Sequence, residues 1–381
     1  MKLVMQANDL AEMVSVCGLA ISSRPMRPVN ECVYMQARQA EGIPMLTMIG
    51  KDMGIGIQKV TDRVTVMEDG EALIPAKTLG GFLKLMDGEV TLTVDEKNQA
   101  TLKSKGKKVN ISCLDGAEFE PGLTEIQKLN ECKMNGLDFG TLVNSVAHCV
   151  SADTGRMVLT GINFAFDGSK ATGGAETCGM DGFRVAICRK GVETNATFTA
   201  LSPGTSAKLV QKVIGNSEDV SFRFGNGVMI AEAYDTAIEV SQLAGEYMDY
   251  NKLIKRDATL RMKMNTAELL NAVKIAMISA TEAKKNLIVL KLRDEETLEV
   301  SAMNDKSAAV TNVPCMAEGA MESGDNEIAF DGRFLEDALK AETGYGDEVV
   351  LECKSGFTPM AVLPAERDDF FQLVLPVRRT A

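Results

Sequence analysis

The segment LAEMVSVCGLAI (10–21) has a counterpart 129 residues later, FGTLVNSVAHCV (139–150). In the first copy, residues 10, 13, 14, 17 and 21 are apolar and lie on one face of a helix, and residues 139, 142, 143, 146 and 150 repeat that spacing. A third apolar stripe, at residues 269, 270, 273, 276 and 277, follows about one period later. Similarity at a fixed long period predicts a repeated structural unit.

Other segments recur in the same order. A second helix is predicted within PAKTLGGFLKLM (75–86), GTSAKLVQKVI (204–214) and GRFLEDALKAE (332–342), and each leads into a strand, VTLTV, VSFRF or VVLEC. Each copy closes on a strand that carries Leu114, Leu243 or Leu375. This order predicts an α+β fold of three similar domains in tandem, each with helices on one face of antiparallel sheets.

The predicted domains span residues 1–124, 130–252 and 257–381. Their joints are placed at PGLTEIQKLNE (121–131) and YNKLIKRDA (250–258). The competing interpretation is three unrelated α+β domains of similar size. The matching order and spacing of both helices and the closing strand favour the repeat.

Composition limits the class of protein. With 45% hydrophobic and 25% charged residues, the chain of 381 residues has the balance of a globular protein with real cores. No apolar run approaches the roughly 18 residues of a membrane span, and the start MKLVMQANDLAEM lacks the apolar stretch of a signal peptide. The nine cysteines form no CxxC pair. We therefore expect a cytoplasmic protein with reduced thiols and no membrane partner.

Catalytic signatures are missing or weak. His148 is the only histidine, so it has no second histidine for a zinc site, and a structural role is expected. GKDMGIGI (50–57) lacks the order of a dinucleotide-binding loop, and SKGKKV (104–109) lacks parts of a phosphate loop. The adjacent acids Asp368 and Asp369 have no partner cluster for a metal. The sequence predicts no catalytic residue, no metal site and no cofactor.

Several segments together resemble one known family. They are SRPMRPVNECV (23–33), VLTGINFAF (158–166), CGMDGFRVAICR (178–189), LAGEYMDYNKLI (243–254), IAFDGRFLEDALKA (328–341) and LVLPVRR (373–379). In this order the chain resembles, from end to end, the bacterial DNA polymerase III β sliding clamp, a processivity factor. No single segment would suffice, whereas their order and spacing are specific.

The resemblance implies a ring. Two subunits would join head to tail, so that six domains enclose duplex DNA without reading its sequence, with helices inside and sheets outside. Val109 and Ile111 of one homodimer subunit would meet Met277 and Ile278 of the other, although interior packing competes as an explanation for these residues. The implied function is to tether the DNA polymerase III catalytic subunit, the clamp loader and repair polymerases to DNA through short linear peptides.

The resemblance also implies a peptide-binding pocket, and most of its residues are apolar, as a groove for Leu and Phe side chains must be. Carried over residue by residue, its wall consists of Leu159, Met180, Gly182, Phe183, Arg184, Val185, Met248, Lys252, Leu253, Leu373, Leu375, Pro376, Val377 and Arg378. Family members often have histidine at the position of Phe183 and proline at that of Met248, so peptide preference here is open. For single leucines and valines, core packing is the competing explanation.

Charge suggests where DNA would pass. The net charge of −12 argues against a surface that grips phosphates everywhere. The six predicted helix segments hold seven basic and seven acidic residues, so they are neutral while the rest of the chain carries the excess acid. Residues predicted to face DNA are Arg24, Arg27, Lys77, Lys84, Lys208, Lys212, Lys284 and Lys285. An ordinary solvated surface would explain any one of these lysines equally well.

Two other functions compete with the clamp. A multidomain α+β enzyme would require a convergent set of titratable groups, which this sequence does not offer. A monomeric peptide-binding adaptor would keep the pocket and lose the ring. Molecular mass in solution separates the clamp from both alternatives, because only the clamp must be a tight dimer.

Overall fold

The structure is a computed structural model, and it describes residues 1–22, 27–116, 119–126, 130–169, 173–194, 196–282, 286–322 and 324–378. Within these ranges the α-helices are α1 (Ala7–Cys17), α2 (Ala76–Leu83), α3 (Gly136–Asn144), α4 (Gly204–Ile214), α5 (Thr266–Glu282) and α6 (Gly332–Glu342). The helices α4 and α6 coincide with the repeated segments 204–214 and 332–342. All six predicted helices are therefore present.

The chain groups into two compact units. The first unit comprises Met1–Phe139, Glu193–Ala196 and Thr205–Gln242, and the second comprises Gly140–Val192, Thr197–Gly204 and Leu243–Ala381. Strands of the predicted middle domain are therefore shared between the two units. The predicted limits of the three domains remain a prediction.

The first unit contains two antiparallel sheets. The five-stranded sheet has the order β5 (Thr65–Glu68), β1 (Lys2–Gln6), β7 (Glu89–Val94), β8 (Gln99–Ser104) and β9 (Lys107–Ser112). The eight-stranded sheet has the order β10 (Asn130–Met134), β15 (Val220–Gly225), β16 (Val228–Ala233), β17 (Thr236–Ser241), β4 (Ile55–Thr61), β3 (Ile43–Asp52), β2 (Cys32–Ala40) and β6 (Gly70–Pro75). The pairing of β4 with β17 joins strands from the first and second repeats.

The second unit contains one twelve-stranded antiparallel sheet. Its order is β14 (Phe198–Pro203), β11 (Gly161–Phe166), β12 (Ala175–Met180), β13 (Arg184–Lys190), β25 (Phe370–Val374), β24 (Met360–Pro364), β23 (Glu348–Cys353), β18 (Leu260–Asn265), β21 (Ala308–Gly319), β20 (Thr297–Met303), β19 (Leu287–Asp294) and β22 (Glu327–Asp331). Here β13 pairs with β25, which joins the second and third repeats.

Alternating side chains build the cores as the sequence predicts. Val90, Leu92 and Val94 are buried along β7, and β15 repeats this alternation from Val220 to Gly225. Such alternation places every second side chain on the face that the helices cover. The apolar stripe of α1 is buried from Leu10 to Cys17. The predicted α+β class, with helices packed on antiparallel sheets, is confirmed.

Two glycines mark the same close packing in successive repeats. A Cβ atom added to Gly50, in β3, would stand 2.0 Å from the carbonyl oxygen of Cys17 at the end of α1. A Cβ atom added to Gly179, in β12, would stand 2.4 Å from the carbonyl oxygen of Val146, just beyond α3. Both members of the first pair lie 129 residues before their counterparts. The repeat in sequence is therefore also a repeat in packing.

The helices α1 and α3 end earlier than predicted, since α3 ends at Asn144 whereas its predicted stripe reached residue 150. The α-helical part of α1 ends at Cys17 and continues as a 3-10 turn, Gly18–Ala20, whereas the predicted stripe reached residue 21. In α5 the stripe is buried as expected, and Met277 is partly buried against the same core. Its Sδ atom lies 2.3 Å from where a Cβ atom on Gly332 would stand, so its side chain points towards α6.

All nine cysteines are free, and eight are buried. Burial raises the pKa of the Cys17 thiol to about 12. No helix in the described ranges is long and apolar enough to cross a membrane. Among the residues that the structure describes, no group of His, Cys, Asp and Glu side chains could hold a metal ion.

Candidate functional site

Four of the predicted pocket residues lie in one buried apolar cluster of the second unit. Their neighbours in the sheet explain this, because Met180 pairs with Val185 and Val185 with Leu373 across β12, β13 and β25. Paired residues of adjacent strands point to the same face. The cluster, which we call the pocket floor, consists of Leu159, Cys178, Met180, Val185, Ile187, Tyr250, Ala361, Phe371 and Leu373.

Exposed apolar side chains flank the pocket floor. Among the other predicted residues, five large apolar side chains are between 39% and 58% exposed: Phe183, Met248, Leu253, Leu375 and Val377. Side chains of this size are mostly buried in folded proteins, so these five residues are candidates for an interaction surface. We call these five residues the pocket rim.

Two tyrosines fix the segment that carries Met248 and Leu253. The hydroxyl of Tyr250 donates a hydrogen bond to Glu176 Oε1 at 2.5 Å. The ring of Tyr247 meets that of Tyr250 edge to face, with 6.4 Å between centroids. Burial raises the pKa of both hydroxyls, so both stay protonated. The predicted residue Lys252 is exposed beside them and forms an ion pair with Asp249 at 3.3 Å.

The carboxy-terminal segment is tied down at two points. The backbone N–H of Leu375 donates to the carbonyl of Phe183 at 2.9 Å, and that of Val377 donates to the carbonyl of Ala329 at 2.8 Å. Pro376, between them, is half-buried and Arg378 is exposed. Residues 375 and 377 therefore present their side chains from a fixed backbone.

Arg184 is held by two carboxylates and an aromatic ring. Its Nε donates to Asp181 Oδ2 at 2.9 Å and its Nη1 to Asp337 Oδ2 at 2.8 Å. Its guanidinium carbon lies 4.6 Å from the ring centroid of Phe334. Burial acts to lower the pKa of Arg184, but the hydrogen bonds to Asp337 and Asp181 outweigh it and raise that pKa. The guanidinium is therefore charged and fixed in orientation.

A buried polar network lies behind the pocket floor. Gln372 alternates with Phe371 and Leu373 along β25, so its side chain leaves from the opposite face. Its Nε2 donates to the carbonyl of Ala338 at 3.1 Å and to Glu342 Oε1 at 2.7 Å, and its Oε1 lies 2.9 Å from His148 Nε2.

Burial perturbs both titratable members of this network. Desolvation lowers the pKa of His148 to about 4, and it raises that of Glu342 to about 7. Neither His148 Nδ1 nor Glu342 Oε2 has a hydrogen-bond partner among the described residues. The single histidine is half-buried and held as a neutral group, which agrees with its expected structural role.

The structure describes five of the eight residues predicted to face DNA. Lys77 on α2, Lys84 just after it, and Lys208 and Lys212 on α4 are exposed, and none has an ion pair within the described ranges. Lys77 and Lys84, like Lys208 and Lys212, are spaced to share one helix face. Arg27 is exposed. Arg24, Lys284 and Lys285 lie outside the described residues.

The four predicted interface residues differ in exposure. Ile278 is 69% exposed on α5, whereas Met277 is partly buried. On β9, Val109 is half-buried and Ile111 is buried within its own unit. The strand β9 is the last of its sheet within the described chain, so one backbone edge lacks a neighbouring strand. Two further exposed apolar residues, Met303 and Val310, lie where β20 meets β21.

Sequence reasoning missed Tyr247, Tyr250, Phe334 and Asp337. The two tyrosines lie in the segment 243–254 that carried the resemblance, and an aromatic residue there could have suggested them. Phe334 and Asp337 lie on α6, far in sequence from the loop that they contact. No residue spacing in the sequence predicts a contact between segments so far apart.

Comparison with known proteins identifies the family. Successive parts of the chain match the family models for the DNA polymerase III beta subunit: the N-terminal domain at residues 1–124, the central domain at 133–249 and the C-terminal domain at 251–378. The chain belongs to this family. As a DNA polymerase III beta subunit it is a sliding clamp, a non-catalytic processivity factor built from three tandem domains.

Individual relatives agree with this family. A beta sliding clamp of Synechocystis sp. is 25% identical over 401 residues, covering 99% of each chain, and one of Staphylococcus epidermidis is 24% identical over 94% of each. The crystal structure of the Bacillus subtilis sliding clamp matches with a TM-score of 0.91 at 22% identity, covering all of both chains. The beta chain of Streptococcus pneumoniae matches with a TM-score of 0.91 at 21% identity, covering 99% and 100%. The predicted resemblance is confirmed.

Proposed function

We propose that this cytoplasmic beta subunit closes into a homodimeric ring around duplex DNA and holds replication and repair proteins by short linear peptides. The peptide partners are the DNA polymerase III catalytic subunit, the clamp loader and repair polymerases. The observation that carries the proposal is the pocket rim, a set of exposed apolar side chains around a buried apolar floor. Such a surface fits an extended peptide with Leu and Phe anchors.

Ring closure is supported by the free edge of β9 and by exposed apolar groups. In the proposed contact, β9 of one subunit meets the region of Ile278 and Met303 of the other. In the second unit, the side-chain amide of Asn304 donates to the carbonyl of Ser279 at 2.7 Å, which places the turn after Met303 beside the end of α5. A head-to-tail contact of this kind closes after two subunits and leaves no free edge at the joint.

Passage of DNA is supported by the exposed lysines of α2 and α4. They are local positive charges in a chain of net charge −12. Weak, sequence-independent phosphate contacts are all that a ring requires, because closure, rather than affinity, retains the DNA. Lys77, Lys84, Lys208 and Lys212 are proposed for these contacts, with Arg24, Arg27, Lys284 and Lys285 as further candidates.

Molecular mass tests the ring directly. We expect the wild-type protein to be a homodimer at micromolar concentration, and Ile278→Asp to give folded monomers, because a carboxylate buried at the contact would lack a partner. Met53→Asp is the matched control, since Met53 is 74% exposed in a turn of the first unit. Native mass spectrometry reads out both variants. A monomeric wild type would instead favour the peptide-binding adaptor.

A further inference from the structure

The backbone around Phe183 is fixed on both sides. Asp181 Oδ1 accepts hydrogen bonds from the backbone N–H groups of Phe183 at 2.9 Å and Arg184 at 3.1 Å. Gly182, between them, has φ +93°, which favours glycine because a Cβ atom would strain this turn. The carbonyl of Phe183 accepts the N–H of Leu375. Both backbone polar groups of Phe183 are therefore already used.

The ring of Phe183 is supported from one side. It stacks on Phe334 with 5.7 Å between centroids and 22° between planes. Phe334 packs in turn against the core of the second unit and lies under the guanidinium of Arg184. Asp181 and Asp337 hold that guanidinium. The stacked rings of Phe183 and Phe334 are therefore held in place by the core and by the two ion pairs of Arg184.

Even so, 58% of Phe183 remains exposed. A rigid aromatic side chain that is open to solvent gains apolar contact on binding and loses little conformational freedom. A polar side chain that entered beside it would give up water and find the neighbouring backbone groups and both oxygens of Asp181 already hydrogen-bonded. The chemistry of this position therefore favours an aromatic ligand group over a polar one.

We propose that Phe183, supported by Phe334, is a specificity-determining residue that receives an aromatic side chain of the partner peptide next to its apolar core motif. This inference rests on the proposed peptide-binding function. It names the peptide class for this chain: an extended segment with an added aromatic residue beside its Leu and Phe anchors.

A peptide series tests the proposal. The parent is an acetylated peptide with the sequence pattern QLxLF, which carries the proposed Leu and Phe anchors, and its derivatives carry phenylalanine or asparagine at each flanking position in turn. Dissociation constants are measured by fluorescence anisotropy for the wild type, Phe183→Ala, Phe183→Tyr and Phe357→Ala. Phe357 is the matched control, because it is 65% exposed in the same unit, in a turn outside the pocket.

For the wild type, phenylalanine at one flanking position should strengthen binding about 3- to 10-fold over asparagine, the range expected for an aromatic pair. The gain should persist in Phe183→Tyr and Phe357→Ala and disappear in Phe183→Ala. A wild type that binds the parent but shows no such gain, or a gain that survives in Phe183→Ala, overturns the role of Phe183 alone. Absence of binding to every peptide overturns the pocket itself and this inference with it.

Discussion

Gly50 shows what a single residue contributes to the repeat. Its backbone touches the carbonyl of Cys17, and no side chain fits between them. We expect Gly50→Ala to lower the free energy of unfolding by about 1 to 3 kcal/mol, the usual cost of overpacking a core. Urea titration of the purified protein measures this change.

Gly81→Ala is the matched control for that substitution. Gly81 lies in α2, and a Cβ atom added there would meet nothing within 4 Å. Because alanine restricts the unfolded chain and favours a helix, the control should be neutral or more stable by about 0.4 to 1 kcal/mol. If the two substitutions changed the free energy of unfolding equally, the close approach of Gly50 to Cys17 would not constrain the packing of α1 on β3.

Glu342 should make stability depend on pH. Burial raises its folded-state pKa from 4.5 to about 7. Its stabilising contribution is therefore complete below about pH 4.5 and is lost as the pH rises through 7, by on the order of 3 kcal/mol in full. We expect the urea midpoint of the wild type to fall as the pH rises from about 6.5 to 8, because below pH 6.5 the opposite change from His148 offsets that from Glu342. In Glu342→Gln, which cannot ionise, this fall should be smaller.

His148 should change stability with pH in the opposite direction to Glu342. Burial lowers its folded-state pKa from 6.5 to about 4, so its contribution is complete above pH 6.5 and is lost as the pH falls through 4. Between about pH 4.5 and 6.5 the opposite change from Glu342 offsets this acid limb in the wild type, so the limb should become steeper in Glu342→Gln. The new amide of Glu342→Gln would place unpaired donors at a buried site and lower stability at every pH. The comparison therefore uses the slope of the urea midpoint against pH, not the midpoint itself. An identical alkaline limb in both proteins would contradict the assignment to Glu342.

The carboxy-terminal segment contributes two of the five pocket rim residues, Leu375 and Val377. Removing residues 375–381 deletes Leu375 and Val377 but keeps Val374, which is buried and paired with Met360 and Arg184. We expect the affinity for a QLxLF-type peptide to fall about 10-fold or more, because two apolar side chains no longer contact it. Isothermal titration calorimetry measures the affinity, and native mass spectrometry should still find a dimer.

A shorter truncation is the matched control, because it shortens the chain without removing a pocket rim residue. Removing only residues 379–381 keeps every predicted pocket residue, so peptide affinity should stay close to that of the wild type. If the longer truncation bound the peptide as tightly as the shorter one, the pocket would have to lie elsewhere.

Local sequence patterns predicted the helices and strands well, but they could not predict which distant strands pair. The segments at 204–214 and 332–342 gave α4 and α6 with their bounds, because apolar spacing follows directly from helix geometry. The pairings of β4 with β17 and of β13 with β25 join different repeats, and no local pattern encodes a partner so far away. They also explain why the chain groups into two units although it contains three repeats.

The candidate site shows the same division. The pocket residues came from resemblance, and the structure gathers Leu159, Met180, Val185 and Leu373 in one cluster. Their assignment to peptide binding remains a prediction. For the ring contact, Met277 and Ile278 are adjacent on a helix and so cannot share one face. The sequence could not decide which of them points inward, and the packing of Met277 against Gly332 decides it.

For the whole molecule, the central question is how a protein of net charge −12 stays on DNA. Electrostatic attachment would weaken steeply with salt, because each phosphate contact contributes about −0.9 to the slope of log affinity against log salt. A closed ring needs no such affinity, since release from circular DNA requires opening an interface. The lysines of α2 and α4 would then matter for loading more than for retention.

Retention on DNA before and after cutting is the measurement that tests this account most directly. Protein is loaded onto nicked circular DNA by a compatible clamp loader with ATP, held in moderate salt, and followed by gel filtration before and after a restriction enzyme linearises the circle. We predict that it persists on the circle and slides off the linear DNA within minutes, and that a variant with Arg24, Lys208 and Lys212 changed to alanine loads less but persists equally once loaded. Equal retention on cut and uncut DNA, or tight binding to linear DNA without a loader, would contradict the account.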